Sequence, residues 1–306
     1  MAGDTMGINR RIGVFGLGSM GYGMAQSLLR AGHDVAGFDL NETAMAAFQA
    51  EGGLVGPLSD VLPGLDIVVI VVLNADQTRD VLFGANGIAP HLSTGAVIVA
   101  CATVAPSFAK EMECAAKAAG LHYLDAPISG GALKAASGEL SVMASGTDVA
   151  FSKARPALDA VAQTVFELGD AAGAGSAMKA VNQLLAGVHI AAMAEAVTFG
   201  MTQGVEPAKT VEVISQCAGS SWMFENRAPH IVDADYTPRS SVNIWPKDLG
   251  IVLDIAQQAN FAAPLTTAAL QQFQAAVSAG LGDEDDAAVA KIYADNAGLA
   301  LPGDTK

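Results

Sequence analysis

The chain has 306 residues, 51% hydrophobic and 15% charged, a balance that excludes a disordered polymer and leaves room for one large or two ordinary domains with real cores. Thirty-one acidic against 16 basic residues give a formal charge of −15; this argues against binding nucleic acid or an anionic membrane over a broad surface, so an anionic substrate needs a local basic site. Cys101, Cys114 and Cys217 form no C-x-x-C pair, which fits reduced thiols in a cytoplasmic protein and points to no metal site.

Asn9-Arg10-Arg11 before an apolar run has the outline of a secretory leader, but three glycines interrupt it. A strand is expected over residues 12–15, then Gly16-Leu17-Gly18-Ser19-Met20-Gly21, then a helix over 22–30 ended by Ala31-Gly32-His33. Strand, G-x-G-x-x-G turn and helix in that order have a mechanism. Gly16 permits the tight turn, Gly18 lets backbone approach a pyrophosphate, and Gly21 lets helix and strand pack closely. The phosphates sit on the unpaired N–H groups at the positive helix end. A second strand, 34–38, leads to Asp39, about 20 residues past the first glycine, where an acid accepts both adenosine ribose hydroxyls and repels the extra phosphate of NADP. The bland alternative is a tight corner and a solvated Asp39; the context favours NAD.

Further along, a short helix is expected over 42–49, a short strand at Val55 and a helical turn over 59–62. Residues 66–73 read as a central parallel strand covered on both faces. Leu73 and Asn74 lie at its carboxyl end, where open α/β sheets bind ligands. A helix over 77–82, a loop over 84–87, a strand over 96–101 ending at Ala102-Thr103, and a helix over 106–119 follow. Next come a strand over 122–125, the stretch Ala126 to Gly131, a strand over 141–145, a helix over 150–160 and a strand over 165–168. Strands alternating with helices for about 170 residues imply a doubly wound parallel sheet. From Ser176 onward β-rich runs almost vanish. The chain is therefore read as a Rossmann-type α/β domain, residues 1–172, followed by an all-α domain, 173–306, bridged by a long helix over 176–200. No apolar run is long enough to span a bilayer, the longest being residues 67–73. Residues 282–286 read as a solvated charged loop.

Lys179, Asn182 and Gln183 form one polar patch on that long helix. At about 100° per residue, Asn182 lies about 60° from Lys179 on one side and Gln183 about 40° on the other, with His189 about 80° away. A surface lysine is the bland reading. A cleft beside the strand ends would instead bury Lys179 partially, and burial readies a lysine for proton transfer. Of the five histidines only His189 shares the patch, and a helical histidine is more often a packed one. Ser129-Gly130-Gly131 offers a hydroxyl and backbone N–H groups suited to a substrate carboxylate, or is an ordinary glycine turn. In Trp245-Pro246-Lys247-Asp248-Leu249, Lys247 either reaches a cofactor or is solvated, and Asp248 is a candidate N-cap.

Four motifs in this order, Gly16 to Gly21 with Met24-Ala25, Asp125-Ala126-Pro127-Ile128-Ser129-Gly130-Gly131, Gly173-x-Gly175-x-x-x-Lys179-x-x-Asn182, and Lys247-Asp248-Leu249, make the chain resemble the β-hydroxyacid dehydrogenase family along essentially its whole length. The resemblance implies that Lys179 is the catalytic acid/base and that Ser129, Gly130, Gly131 and Asn182 hold the substrate carboxylate. It also implies that Leu73, Asn74 and Thr103 touch NAD beside the glycine turn and Asp39 already read from their spacing, with Lys247 near the nicotinamide. Many members have Ser-Thr where this chain has Ala102-Thr103, and Asn-Asn where it has Asn182-Gln183. Residues 183–192 and 218–227 resemble a branch that oxidises the C2 hydroxyl of a four-carbon sugar acid. Extra substrate hydroxyls would account for polar Gln183, His189, Ser221 and Asn226. A semialdehyde reductase of the same family is the main alternative. A non-catalytic cofactor-binding reader is remote, because such relatives lack the lysine. A small anionic hydroxyacid substrate, no nucleic acid or membrane partner, and a homo-oligomer packed through the alanine-rich long helix complete the expectation.

Overall fold

The computed structural model describes residues 9–54 and 56–304; the short strand expected at Val55 lies outside them. The chain divides into two compact units, residues 1–179 and 180–306.

The first unit is built on a parallel sheet of β1 (Arg11–Phe15), β2 (Asp34–Phe38), β3 (Ile67–Ile70), β4 (Val97–Ala100) and β5 (His122–Asp125), in the order β2-β1-β3-β4-β5. Alternation sorts each strand's side chains onto opposite faces. Ile67, Val69, Val97 and Val99 join one core with Met24, Leu28 and Phe151. Val68, Ile70, Ile98 and Ala100 join a second with Leu82, Phe108 and Met112. The sheet is thus covered on both faces, as its unbroken Ile/Val runs require. Register pairs Phe15 with both Phe38 and Ile70, Ile70 with Ala100, and Ala100 with Asp125. All five carboxyl ends therefore finish level. The chain leaves β1 toward β2 on one side and returns to β3 on the other, which makes the β1/β3 edge the switch point of the sheet.

Three departures from expectation follow from local chemistry. Strand β3 stops at Ile70, not at residue 73, because residues 71–74 turn outward at the sheet edge, where Leu73 is exposed. An apolar run carries no stop signal of its own. The late strands do not extend the parallel sheet: β6 (Ile128–Ser129) is antiparallel to β7 (Leu140–Ala144), which is parallel to β8 (Ala162–Glu167), in a separate three-stranded sheet. Between β6 and β7 stands a seven-residue helix, Gly131–Ser137, invisible in a sequence that opens it on two glycines.

The long helix Ala174–Thr202 starts in the first unit and continues into the second. By length and composition it is long and apolar enough to cross a bilayer, the one such helix among the described residues. Its Ile190, Met193, Ala194 and Val197 nevertheless enter the core of the second unit with Phe224, Trp245 and Phe273. Gly187 makes that packing close: a Cβ there would lie 2.8 Å from Leu249 and 3.0 Å from Trp245. Helices Pro207–Ile214, Trp222–Asp233, Ile244–Gln258, Pro264–Ser278 and Val289–Ala297 complete the unit.

The loop read as solvated is instead its polar centre. Asp285 and Asp286 are fully buried. Asp286 accepts from Arg227 Nε at 2.6 Å and Trp245 Nε1 at 3.0 Å. Asp285 pairs with His230 Nδ1 at 2.8 Å and accepts the backbone N–H groups of Arg239 and Ala287. Charge density alone does not distinguish a solvated run from a buried one whose partners are 40 to 60 residues away. Removing one partner of a buried pair strands the other. Asp286→Ala is therefore expected to cost about 3–5 kcal/mol in urea unfolding, well beyond the effect of a surface Asp→Ala.

Candidate active site

At the β1/β3 edge the glycine turn is dictated by crowding. Gly16 has φ +99°, and a Cβ on it would lie 2.3 Å from the Val71 carbonyl oxygen; one on Gly21 would lie 1.9 Å from the Gly16 oxygen. No side chain fits at either place. Gly18 differs: a Cβ there would meet no protein atom within 4 Å, so its side is open to a close-approaching ligand. The helix Gly21–Arg30 that follows has no side-chain cap and no acid in its first turn, which leaves its first N–H groups and positive end suited to an anion. Asp39, just past β2, accepts from Leu17 N at 2.5 Å through Oδ2 and from Asn41 N at 2.8 Å through Oδ1. It therefore fixes the glycine turn, a role sequence reasoning did not assign it, while the lone pairs left over suit ribose hydroxyls. Asn74 Oδ1 caps the next helix through Gln77 N at 2.9 Å, and Leu73 N donates to Gln77 Oε1 at 2.8 Å. Thr103 follows β4, half-buried. With the strand ends level, these residues share one rim. An open cradle at Gly18, an uncapped helix end and a carboxylate at the tip of β2 fit NAD.

A second construction sits at the end of β5. Asp125, 1% exposed, takes the backbone N–H groups of Gly173 and Ser176 on Oδ2, both at 2.9 Å, and the Ser176 hydroxyl on Oδ1 at 2.7 Å. Ser145 Oγ donates to Asp125 at 3.3 Å and accepts from Gly175 N at 2.9 Å. Gly175 is held so close that a Cβ would lie 2.4 Å from the Met143 carbonyl oxygen. Asp125 and Ser145 thus pin the start of the long helix. Burial pushes the Asp125 carboxyl above its ordinary range, opposed by the hydrogen bonds from Ser176, Gly173 and Ser145. One turn along that helix, Lys179 is 8% exposed and donates from Nζ to the Ile128 carbonyl oxygen at 2.9 Å. Ile128 directly precedes Ser129, Gly130 (φ +136°) and Gly131 (φ +79°), so the lysine and the serine–glycine turn predicted from sequence come together. Asp125 opens a motif quoted from the sequence, but its role there was not legible, because its partners stand 20 to 51 residues downstream.

In the second unit, Lys247 Nζ lies 2.8 Å from Asp248 Oδ1. Asp248 is no N-cap; Asn243 holds that position, and Asp248, 2% exposed, sits inside the helix Ile244–Gln258. Its Oδ2 accepts from Gln183 Nε2, and Gln183 Oε1 accepts from Asn182 Nδ2 at 2.9 Å. The polar residues of 218–227 have internal uses. Ser221 caps the helix Trp222–Asp233 through Phe224 N, and Asn226 accepts from Arg227. His189 is half-buried on the long helix.

Residues 11–169 match the family model for the NAD binding domain of 6-phosphogluconate dehydrogenase, and residues 173–293 match that for NAD-binding of NADP-dependent 3-hydroxyisobutyrate dehydrogenase. The chain is 50% identical to an L-threonate dehydrogenase of Cupriavidus necator, over 97% of this chain and 99% of that one. It is 46% identical to the Escherichia coli K12 L-threonate dehydrogenase, over 95% and 96%. Among solved structures it is similar to a 3-hydroxyisobutyrate dehydrogenase from Salmonella typhimurium, with TM-score 0.88, 47% identity, and coverage of 93% of this chain and 100% of that chain. A Mycobacterium tuberculosis 3-hydroxyisobutyrate dehydrogenase with L-serine gives TM-score 0.83 at 28% identity, over 94% and 99%.

Two measurements follow. Asp39→Asn keeps an acceptor for Leu17 N but drops the charge, so the NAD-to-NADP ratio of kcat/KM is expected to fall about tenfold or more; an unchanged ratio removes Asp39 from cofactor choice. A carboxyl raised in the folded state holds its proton there to higher pH than when unfolded. The Asp125 contribution to stability therefore declines as pH rises out of the ordinary carboxylate range. Urea midpoints across mildly acid pH should show that decline flattened in Asp125→Asn relative to the parent.

Proposed function

The chain belongs to the β-hydroxyacid dehydrogenases, the family of 3-hydroxyisobutyrate dehydrogenase, and on that footing we propose that it oxidises the C2 hydroxyl of a small sugar acid, L-threonate, to 2-dehydro-L-erythronate. The observation that carries the chemistry is the Lys179 amine, buried and bonded to Ile128 O beside Ser129-Gly130-Gly131. The substrate rests on the identity to L-threonate dehydrogenases along nearly the full chain.

NAD, when bound, supplies the acceptor for the hydride from C2. Neutral Lys179 Nζ takes the hydroxyl proton as C2 becomes a carbonyl, so the proton ends on the amine. The Ile128 carbonyl aims the amine and stabilises the ammonium formed. The Ser129 hydroxyl and the backbone N–H groups of the Gly130–Gly131 turn hold the substrate carboxylate. Asn182, three residues beyond Lys179, adds a further substrate contact. Lys247, tethered by Asp248, supplies positive charge on the nicotinamide side. Gly16 to Gly21, Asp39, Leu73, Asn74 and Thr103 hold the dinucleotide. Met178, Val181, Leu185 and Phe199 form an exposed apolar stripe at heptad-like spacing on the long helix, which supports a homo-oligomer packed through it. Free cysteines and the dinucleotide requirement support a cytoplasmic location.

Steady-state rates over L-threonate, D-erythronate and 3-hydroxyisobutyrate, with tartronate semialdehyde in the reducing direction, test the reading. L-Threonate should give the highest kcat/KM. Comparable turnover of 3-hydroxyisobutyrate defeats the polyhydroxy-acid assignment, and much faster aldehyde reduction makes the enzyme a reductase. Lys179→Met should lower kcat about 100- to 10,000-fold while NADH binding, followed by fluorescence, survives.

A further inference from the structure

The line Lys247–Asp248–Gln183–Asn182 has a direction. Asp248, beside the Lys247 ammonium, is a carboxylate and can only accept. Gln183 must therefore turn its NH2 toward Asp248, which leaves its carbonyl oxygen facing Asn182. Asn182 must in turn give its NH2 to that oxygen. Two amides in series inherit their orientation from one charge: with Gln183 and Asp248 both buried, a flipped Gln183 would set its oxygen against the Asp248 carboxylate and its NH2 against that of Asn182, and a flipped Asn182 would set oxygen against oxygen. The outcome is that Asn182 Oδ1 lies on the edge of its amide opposite Gln183. An oxygen suits a hydroxyl donor; a carboxylate needs N–H or O–H groups.

From this we infer that Gln183 is a positioning residue for substrate specificity: it makes no contact with substrate, but sets Asn182 to accept a hydrogen bond from a substrate hydroxyl while the carboxylate is left to Ser129-Gly130-Gly131. The inference rests on the polyhydroxy-acid reading above and replaces two earlier expectations, that Gln183 binds substrate directly and that Asn182 holds the carboxylate. The residue type matters. Asparagine at 183 is shorter by one carbon–carbon bond, about 1.5 Å, more than hydrogen bonds at both ends of one amide can absorb.

The test compares parent, Gln183→Asn and Gln183→Met by kcat/KM for L-threonate and for 3-hydroxyisobutyrate, which lacks the extra hydroxyls. NADH fluorescence titration and a thermal melt establish that each variant is folded. The ratio of the two kcat/KM values is expected to fall about tenfold or more in both variants, mainly through a higher KM for L-threonate. A parent that prefers L-threonate, with variants that keep its ratio, overturns the inference alone. Equal losses on both substrates through kcat overturn it too, since they mark a role in general integrity or catalysis. A parent that prefers 3-hydroxyisobutyrate overturns the substrate reading, and the inference falls with it.

Discussion

Asp125 is the constraint on which the first unit's chemistry depends. A carboxylate out of water is tolerable only when its lone pairs are filled, and here the donors come from the first residues of the long helix and from Ser145. The positive end of the helix meets a negative charge, its first N–H groups find partners, and its axis is fixed at the end of β5. Lys179 follows one turn later, with its amine against Ile128 O. Gly175 permits the approach and Asp125 holds it. The Asp125-to-Gly131 motif and the Gly173-to-Asn182 motif, far apart in sequence, are two halves of one joint.

Much of this was legible from residues alone. The turn from Gly16 to Gly21 announced itself because steric crowding permits only glycine at two of its positions. Asp34–Phe38 and His122–Asp125 were read to the residue because polar residues stand at or next to their ends. The end of β3 was not, since residues 67–73 are apolar throughout and the stop is set by the turn built around Gly16. The sheet of β6, β7 and β8 was missed for a related reason: pairing partners are a tertiary property, and nothing local separates a strand that continues a sheet from one that begins another.

The site's polar side chains divide the same way. Lys179 and Ser129-Gly130-Gly131 could be anticipated because their chemistry is scarce on an alanine-rich background. What Asp39, Asp125, Gln183 and Asp248 do within the protein could not, since each has at least one partner 20 or more residues away. Gln183 is the plainest case. Its polarity invited a ligand role, and its amide is bonded within the protein to Asp248 and Asn182.

The carboxylate pair Asp285 and Asp286 has a consequence for assembly of the second unit. Its partners come from the helices Trp222–Asp233 and Ile244–Gln258, with Arg239 between them. A half-assembled arrangement would dehydrate two negative charges with only some of their counter-groups present, a state less favourable than leaving all of them in water. Intermediate dockings are thereby penalised, which favours joint docking of the two helices onto the carboxylate pair. An unusually acidic chain thus uses two of its acids to suppress its own partial folds.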